Sequence, residues 1–235
     1  MPPIIDADCH ISPTPQGGNS ISYDELLRRM DRSGVDQALT WLQPPYERGE
    51  LAAGNAYVAE AVKAHPDRIL GFGWADPNLG VDRALEAVDR CLHDYGFPGV
   101  KLNGAQNEFV IDDSKLVLPV VEKIAAAGAI LALHIGGDSP ENTHPWRAGN
   151  IARRYPELRM LIVHIGGAAF HDLSRATIEV AAGAPQYDPD RQRRPLAVDS
   201  QSHHHPRSPA GLLRQRYALR VDARRNGKVP RTAGG

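Results

Sequence analysis

Scarce cysteine, a nearly balanced charge and the lack of long apolar runs exclude several classes of protein at the outset. The 235 residues include two cysteines, Cys9 and Cys91, which are too few and too far apart for a disulfide framework. No stretch approaches the roughly 18 apolar residues of a membrane span, and the first residues lack the basic and apolar regions of a signal peptide. A net charge of −1 argues against binding to nucleic acid or to a membrane surface. These absences predict a cytoplasmic protein, and 42% hydrophobic residues suffice for one sizeable core.

Short apolar runs alternate along the chain with amphipathic segments, at intervals of about 30 residues, which is the length of a βα unit. Continuous apolar runs are typical of strands that are buried on both faces of a parallel sheet. The pattern predicts strands at 3–7, 35–42, 69–75, 98–102, 129–134 and 159–164. It predicts helices at 22–33, 51–64, 80–94, 113–127, 145–154 and 171–182.

These six units in series predict a parallel α/β protein, which is either a (β/α) barrel or a doubly wound sheet. Ser22, with Glu25 three residues later, has the capping-box pattern of a helix start. Gly34 and Gly128 stand where helices should end. No G-x-G-x-x-G follows the first strand, which leads instead into an acid and a histidine, and this favours the barrel.

Residue types that bind metals stand where three of the predicted strands end. The first apolar run leads into Asp8 and His10, and two later runs each lead into the same His-Ile-Gly-Gly sequence, at His134 and His164. Carboxylate and imidazole groups are ligands of divalent metals, and side chains at strand ends meet at the C-terminal rim of a barrel. Alternatively, Asp8 caps a strand, His10 lies at the surface and the other histidines are hydrogen-bonded core residues. The repeated sequence favours a site.

Three further side chains are candidates for binding a substrate. Lys101 ends the predicted strand 98–102, where its amino group can bind an anionic group or, once carbamylated, bridge metals. The alternative is a lysine that extends to solvent. Arg147 and Trp146 follow the fifth predicted strand and can bind a carboxylate or a ring, or simply cap the next helix.

From Ile4 to about Pro185 the sequence resembles the amidohydrolase superfamily, in the amidohydrolase-related branch that includes the amino-carboxymuconate-semialdehyde decarboxylase-like enzymes. The markers of this resemblance are Ile5-Asp6-Ala7-Asp8-Cys9-His10, Gly99-Val100-Lys101-Leu102, Leu133-His134-Ile135-Gly136-Gly137 and Val163-His164-Ile165-Gly166-Gly167. The resemblance implies a distorted (β/α)8 barrel of TIM type that holds one or two divalent metal ions.

The resemblance also implies roles for individual residues. Asp8, His10 and His134 would hold one divalent ion, with zinc as the first choice and manganese as the alternative, because Asp8 replaces a histidine of the family. His164 would be the catalytic residue that assists proton transfer. In the family, the residue at the position of Lys101 only sometimes bridges metals.

The implied activity is the hydrolysis of a small carboxylic, amide or lactone substrate. Decarboxylation of a small unsaturated or aromatic acid is the alternative, because both reactions use the same site. A non-catalytic remnant is a further alternative. The expected partner is a small-molecule substrate, without nucleic acid or membrane, and assembly into a homo-oligomer is left open.

Residues 186–235 differ from the rest of the chain and from the family. They contain eleven basic and four acidic residues, with three consecutive histidines at 203–205 and no sustained apolar period. The aspartate that ends the eighth strand in the family is absent after Pro185. The segment is therefore a basic nucleic-acid arm, a histidine-rich metal tract or the product of a frameshift.

The frameshift is the preferred interpretation of this tail. A reading frame offset by one base permits Phe-Gly-Ser-Asp at Arg214–Tyr217, which is the sequence that the eighth strand lacks. If the codons of the gene do not spell these residues when offset, the interpretation fails. We accordingly predict a barrel domain at 1–185 that lacks strands seven and eight, and an irregular tail at 186–235.

Overall fold

Parallel β-strands separated by helices make up the described part of the chain. The structure is a computed structural model, and it describes residues 2–43 and 48–166. The strands are β1 (Ile5–Ile11), β2 (Gln37–Leu42), β3 (Ile69–Gly71), β4 (Gly73–Trp74), β5 (Gly99–Leu102), β6 (Ile130–His134) and β7 (Arg159–Val163). The helices are α1 (Tyr23–Ser33), α2 (Leu51–Ala64), α3 (Val81–Asp89), α4 (Gly104–Asn107), α5 (Leu118–Ala126), α6 (Pro140–Thr143) and α7 (Pro145–Arg154).

Neighbours in the sheets are neighbours in the sequence, and every pairing is parallel. One sheet has the order β1-β2-β3 and the other has the order β4-β5-β6-β7. Parallel neighbours need a crossover connection, which the intervening helices supply. The six predicted strands are therefore confirmed as a parallel α/β series.

The predicted strand 69–75 passes from one sheet to the other. Its first part, β3, pairs with β2, and its second part, β4, pairs with β5. Between them, the N–H of Phe72 donates to the carbonyl of Thr40 at 2.9 Å, so the series of strands is not interrupted. Gly73 allows the following helical segment to pack directly on this strand, because a Cβ at this position would collide with Cys91 Sγ.

Side chains of the strands alternate between two apolar layers, as the pleat of a strand requires. The larger layer packs against the helices and includes Ala38, Val100, Leu131 and Leu133. The smaller layer lies on the opposite face and includes Leu39, Trp41, Phe72, Trp74, Ala132 and Val163. The candidate site lies on the face of the sheets that carries the smaller layer.

The start of α1 differs in one detail from the predicted capping box. Ser22 Oγ accepts a hydrogen bond from the N–H of Glu25 at 3.3 Å, as predicted. The Glu25 carboxylate, however, binds Arg28 Nε and Arg29 Nε, each at 2.9 Å, instead of returning to the backbone of Ser22. The helix ends at Gly34, whose φ of 66° lies in the left-handed region.

Two element boundaries correct the predictions. β1 continues to Ile11, so that Asp8 and His10 lie within the strand and not beyond its end. α5 begins at Leu118 and not at 113, because Asp113 Oδ1 accepts from the backbone of Lys115 and Leu116 and closes a turn there.

The helix predicted at 171–182, the lost strands and the tail at 186–235 lie outside the described residues, so these predictions stay predictions. Cys9 and Cys91 are free, buried thiols. Among the described residues, no helix is both long enough and apolar enough to cross a membrane.

Candidate functional site

Five predicted site residues come together at the carboxyl ends of the strands. Asp8 and His10 lie on β1, Lys101 on β5 and His134 on β6, and His164 follows β7 directly. Lys101 is paired in register with Trp74 and with Ala132, which both belong to the smaller apolar layer. Its side chain therefore points to the same face as the histidines, which the contacts below establish.

Asp8 lies at the centre of this cluster. Its Oδ1 is 3.8 Å from both His10 Nε2 and Lys101 Nζ, and its Oδ2 is 3.6 Å from His164 Nδ1. Within the described residues, Oδ1 is buried and accepts no hydrogen bond. A buried carboxylate oxygen without a donor carries a desolvation cost, so this oxygen is a natural binding point for a cation.

His10 has its tautomer fixed by a neighbouring indole. Trp41 Nε1 lies 2.7 Å from His10 Nε2, and because an indole can only donate, Nε2 accepts and the ring proton is on Nδ1. Burial, followed by the charges of Lys101 and of the other two histidines, holds the pKa of His10 well below its usual 6.5. His10 is therefore neutral, the form that binds metals.

Lys101 is buried, with 1% of its surface exposed, so the alternative of a lysine that extends to solvent is wrong. Its Nζ lies 3.3 Å from His10 Nε2, 3.8 Å from the centroid of the Trp41 ring and 4.9 Å from that of Trp74. Burial lowers the pKa of Lys101 from 10.5 to about 7, and Asp8 opposes this shift. Sequence reasoning missed both tryptophans, because only the strand register places them beside the lysine.

His134 is held by Asp138, a second residue that sequence reasoning missed. Oδ2 and Oδ1 of Asp138 lie 2.9 Å and 3.1 Å from His134 Nε2. Burial lowers the pKa of His134, and the hydrogen bond to Asp138 opposes this shift. The available signal was an acid directly after the two glycines that follow the histidine.

His164 reaches the site through an unusual backbone conformation. Leu161 and Val163 lie on the face of the site and Ile162 on the other, so strict alternation would turn the next side chain away. Instead, φ is 65° at His164 and 47° at Ile165, a region that residues other than glycine seldom adopt. The strand thus ends abruptly, and the ring of His164 lies 4.7 Å from that of His134.

The donor chemistry of this cluster fits a divalent metal ion. One carboxylate and three imidazoles are ligands that zinc and manganese accept, and within the described residues Asp8 Oδ1 is a buried oxygen that accepts no hydrogen bond. Across residues 2–43 and 48–166, however, no group of three or more such side chains is arranged as a metal site. His10 Nε2 already faces Trp41 and Lys101, and His134 Nε2 faces Asp138. The assignment of Asp8, His10 and His134 as ligands stays a prediction.

Arg147 is bound elsewhere. Its Nη1 lies 2.8 Å from Asp112 Oδ1, and Asn150 donates to the second oxygen of the same carboxylate at 2.7 Å. Through these contacts to Asp112, Arg147 and Asn150 hold the first turns of α7 against the loop before α5. Trp146 beside it is 62% exposed. A role of Arg147 in binding substrate stays a prediction.

A buried polar network fixes the position of Trp74. Asn107 Oδ1 accepts from Trp74 Nε1 at 2.9 Å, and Asn107 Nδ2 donates to Asp76 Oδ2 at 3.1 Å. Arg48 Nε lies 3.1 Å from the same Asp76 oxygen. Asn55 pairs with both the N–H and the carbonyl of Trp74. The network therefore joins the segments after β2, β4 and β5 around one aromatic side of the site.

The strands and the histidine cluster together define an α/β barrel protein with a site at the carboxyl ends of its strands. The chain belongs to the amidohydrolase family, whose sequence profile matches residues 5–188. This confirms the resemblance stated from the sequence.

Among curated proteins, the chain is similar to the 2-amino-3-carboxymuconate-6-semialdehyde decarboxylase of Dictyostelium discoideum. The two are 25% identical over an alignment of 174 residues, which covers 62% of this chain and 48% of that protein. The chain thus spans about half the length of this relative.

Solved structures of two decarboxylases share the fold. The 2,6-dihydroxybenzoate decarboxylase from Rhizobium matches with a TM-score of 0.58 and 19% identity, over 74% of this chain and 70% of that one. The 5-carboxyvanillate decarboxylase of Novosphingobium aromaticivorans, solved with manganese, matches with a TM-score of 0.58 and 17% identity, over 82% of this chain and 72% of that one. The predicted barrel class is therefore confirmed.

Proposed function

We propose that the chain is a metal-dependent decarboxylase of a small aromatic or unsaturated carboxylic acid. The sequence favours hydrolysis, with decarboxylation as the alternative. The named relatives support the alternative, since those in both kinds of comparison are decarboxylases. The observation that carries the proposal is the cluster itself, in which Asp8 Oδ1 is buried beside His10 and Lys101 and accepts no hydrogen bond from the part of the chain that the structure describes.

Asp8, His10 and His134 are the proposed ligands of one divalent ion, zinc or manganese. The manganese in the structure of the Novosphingobium relative supports the second choice. A bound ion would supply positive charge that steadies the carboxylate of the substrate. The neutral state of His10 suits this role, because an imidazole must be unprotonated to bind a metal.

His164 is the proposed proton donor. In decarboxylation the bond between the ring carbon and the carboxylate breaks, carbon dioxide leaves, and the electron pair stays on the carbon, which then takes a proton. Of the three imidazoles, that of His164 is the most exposed, at 39% of its side chain against 21% for His10 and 12% for His134. It can therefore regain its proton from solvent after each turnover.

Lys101 is the proposed partner of an anionic group of the substrate, and the rings of Trp41 and Trp74 beside it suit an aromatic or unsaturated acid. Arg147 remains a candidate for a second carboxylate contact.

The test uses the full chain, loaded with zinc or manganese and incubated with 2,6-dihydroxybenzoate and with 5-carboxyvanillate. Released carbon dioxide and the decarboxylated phenol are measured together. We expect His164→Asn to lose at least about 100-fold in rate, and His93→Asn, an exposed residue near Asp89, to retain it. Turnover of lactones or esters without carbon dioxide would favour the hydrolase instead. Bound metal without any turnover would favour the non-catalytic alternative.

A further inference from the structure

We infer that Lys101 is an internal competitor of the metal ion: without metal, its amino group binds the corner formed by Asp8 Oδ1 and His10 Nε2, and it must move away when a metal binds there. The inference rests on the proposed function in one respect, since it takes Asp8 and His10 as ligands. It adds that the site controls its own metal affinity through a residue that is not a ligand.

Three atoms form this corner. Asp8 Oδ1 and His10 Nε2 are 3.8 Å apart, and Lys101 Nζ is 3.8 Å from the first and 3.3 Å from the second. Metal–ligand bonds to oxygen and to imidazole nitrogen are about 2.0–2.2 Å long, so one ion can bind both atoms with little movement. The amino group and the ion would then compete for the same oxygen and the same nitrogen lone pair.

Lys101 and the metal ion would compete for the lone pair of His10 Nε2. Nε2 accepts from Trp41 Nε1 at 2.7 Å, so its proton is on Nδ1 and Lys101 Nζ can approach it only as a donor. An imidazole nitrogen has one lone pair, and a metal needs that lone pair as well. In the metal-free protein the indole N–H of Trp41 at 2.7 Å and the amino group of Lys101 at 3.3 Å share this lone pair, and metal binding at His10 displaces both.

The surroundings keep Lys101 in this position. The residue is 1% exposed, so solvent does not compete for the amino group. Nζ lies over the Trp41 ring at 3.8 Å, and the network around Asn107 and Asn55 holds Trp74 on another side at 4.9 Å. Among the described residues, the polar contacts of Nζ are those to Asp8 and His10.

The test is a calorimetric titration of manganese, and separately of zinc, into the full chain after removal of metals with a chelator. Lys101→Met keeps the length of the side chain and removes the amino group. We expect this variant to bind manganese at least about tenfold more tightly than the wild type, about 1.4 kcal/mol. The matched control is Lys123→Met, which removes a surface lysine paired with Asp89 at 2.8 Å, and it should bind as the wild type does.

A second variant keeps the test decisive if Lys101→Met fails to fold. Trp41→Phe removes the indole donor to His10 Nε2 but retains a ring beneath Nζ, so it should also tighten metal binding, to a smaller extent. Unchanged affinity in the folded variants overturns the inference. Weaker binding in Lys101→Met also overturns it, because Lys101 would then be a ligand itself.

The outcomes separate this inference from the proposed function. If the wild type binds metal and Lys101→Met binds it equally well, the inference fails and the proposed function stands. If the wild type binds no metal but Lys101→Met does, the inference is supported. If neither binds, the inference and the proposed metal site both fail.

Discussion

His134 Nε2 lies 2.9 Å from Asp138 Oδ2, so a carboxylate four residues further along the chain holds this imidazole. The Asp138 side chain is 55% exposed whereas that of His134 is 12% exposed, which places the carboxylate at the rim and the ring below it. A carboxylate on one ring nitrogen fixes the orientation of the ring and leaves the other nitrogen, here Nδ1, available to bind a metal ion.

Asp138→Asn should therefore weaken metal binding, since it removes the negative charge that orients and polarises His134. Loss of such a supporting contact typically reduces metal affinity 10- to 100-fold. The measurement is the same calorimetric titration with manganese. Glu141→Gln, which removes a charge from the same segment without contact to His134, serves as the control. Equal affinity in Asp138→Asn and the wild type would show that His134 needs no such support.

The sequence was sufficient for the order of strands and helices and for the five residues of the cluster. Apolar runs report burial of whole strands, and His134 and His164 stand directly where two such runs end. The partners of these residues could not be predicted, because they depend on register and on backbone turns. Trp41 reaches His10 because the two are paired in the register of β1 and β2.

His164 shows most clearly what could not be predicted from the sequence. Strand alternation alone would turn its side chain away from the site. No local sequence pattern predicts the positive φ of His164 and Ile165 that turns it back. The late start of α5 has a local cause that the helical period hid, namely the turn that Asp113 closes through its own side chain.

Asn107→Ala should destabilise the fold. The substitution removes the acceptor of Trp74 Nε1 and a donor to Asp76, and both contacts are buried. Loss of a buried hydrogen-bond partner costs about 1–3 kcal/mol, which urea unfolding will measure. Asn150→Ala, which removes an exposed contact to Asp112, should change the free energy of unfolding by less than about 0.5 kcal/mol. If Asn107→Ala lowers the free energy of unfolding no more than Asn150→Ala does, the network adds no stability.

Gly73→Ala tests the close packing at the point where β4 joins the second sheet. The added methyl group would collide with Cys91 Sγ and Cβ, and overpacking of a core costs about 1–3 kcal/mol. Gly49→Ala adds the same methyl group where none of the described residues has an atom within 4 Å, so it should leave stability almost unchanged. Thermal unfolding of the pair should place Gly73→Ala clearly below both Gly49→Ala and the wild type. A melting temperature equal to that of Gly49→Ala would mean that Cys91 moves aside without cost.

Glu25 gives the chain a defined loss of stability in acid. Hydrogen bonds from Arg29, then from Arg28, lower the pKa of Glu25 from 4.5 to about 2. A folded-state pKa below the unfolded value means that the contribution is complete above about pH 4.5 and declines as the pH falls towards 2. Glu25→Gln removes this contribution, so the stability difference between wild type and variant should shrink over that range in a series of urea titrations. The Glu25 side chain is 27% exposed, so 1 M salt should reduce the difference. Arg28→Met with Arg29→Met should strongly reduce its dependence on pH, although Arg32 Nη2 still lies 3.4 Å from Glu25 Oε1. A difference that stays constant from pH 5 to pH 2.5 would rule out these arginine contacts as its source.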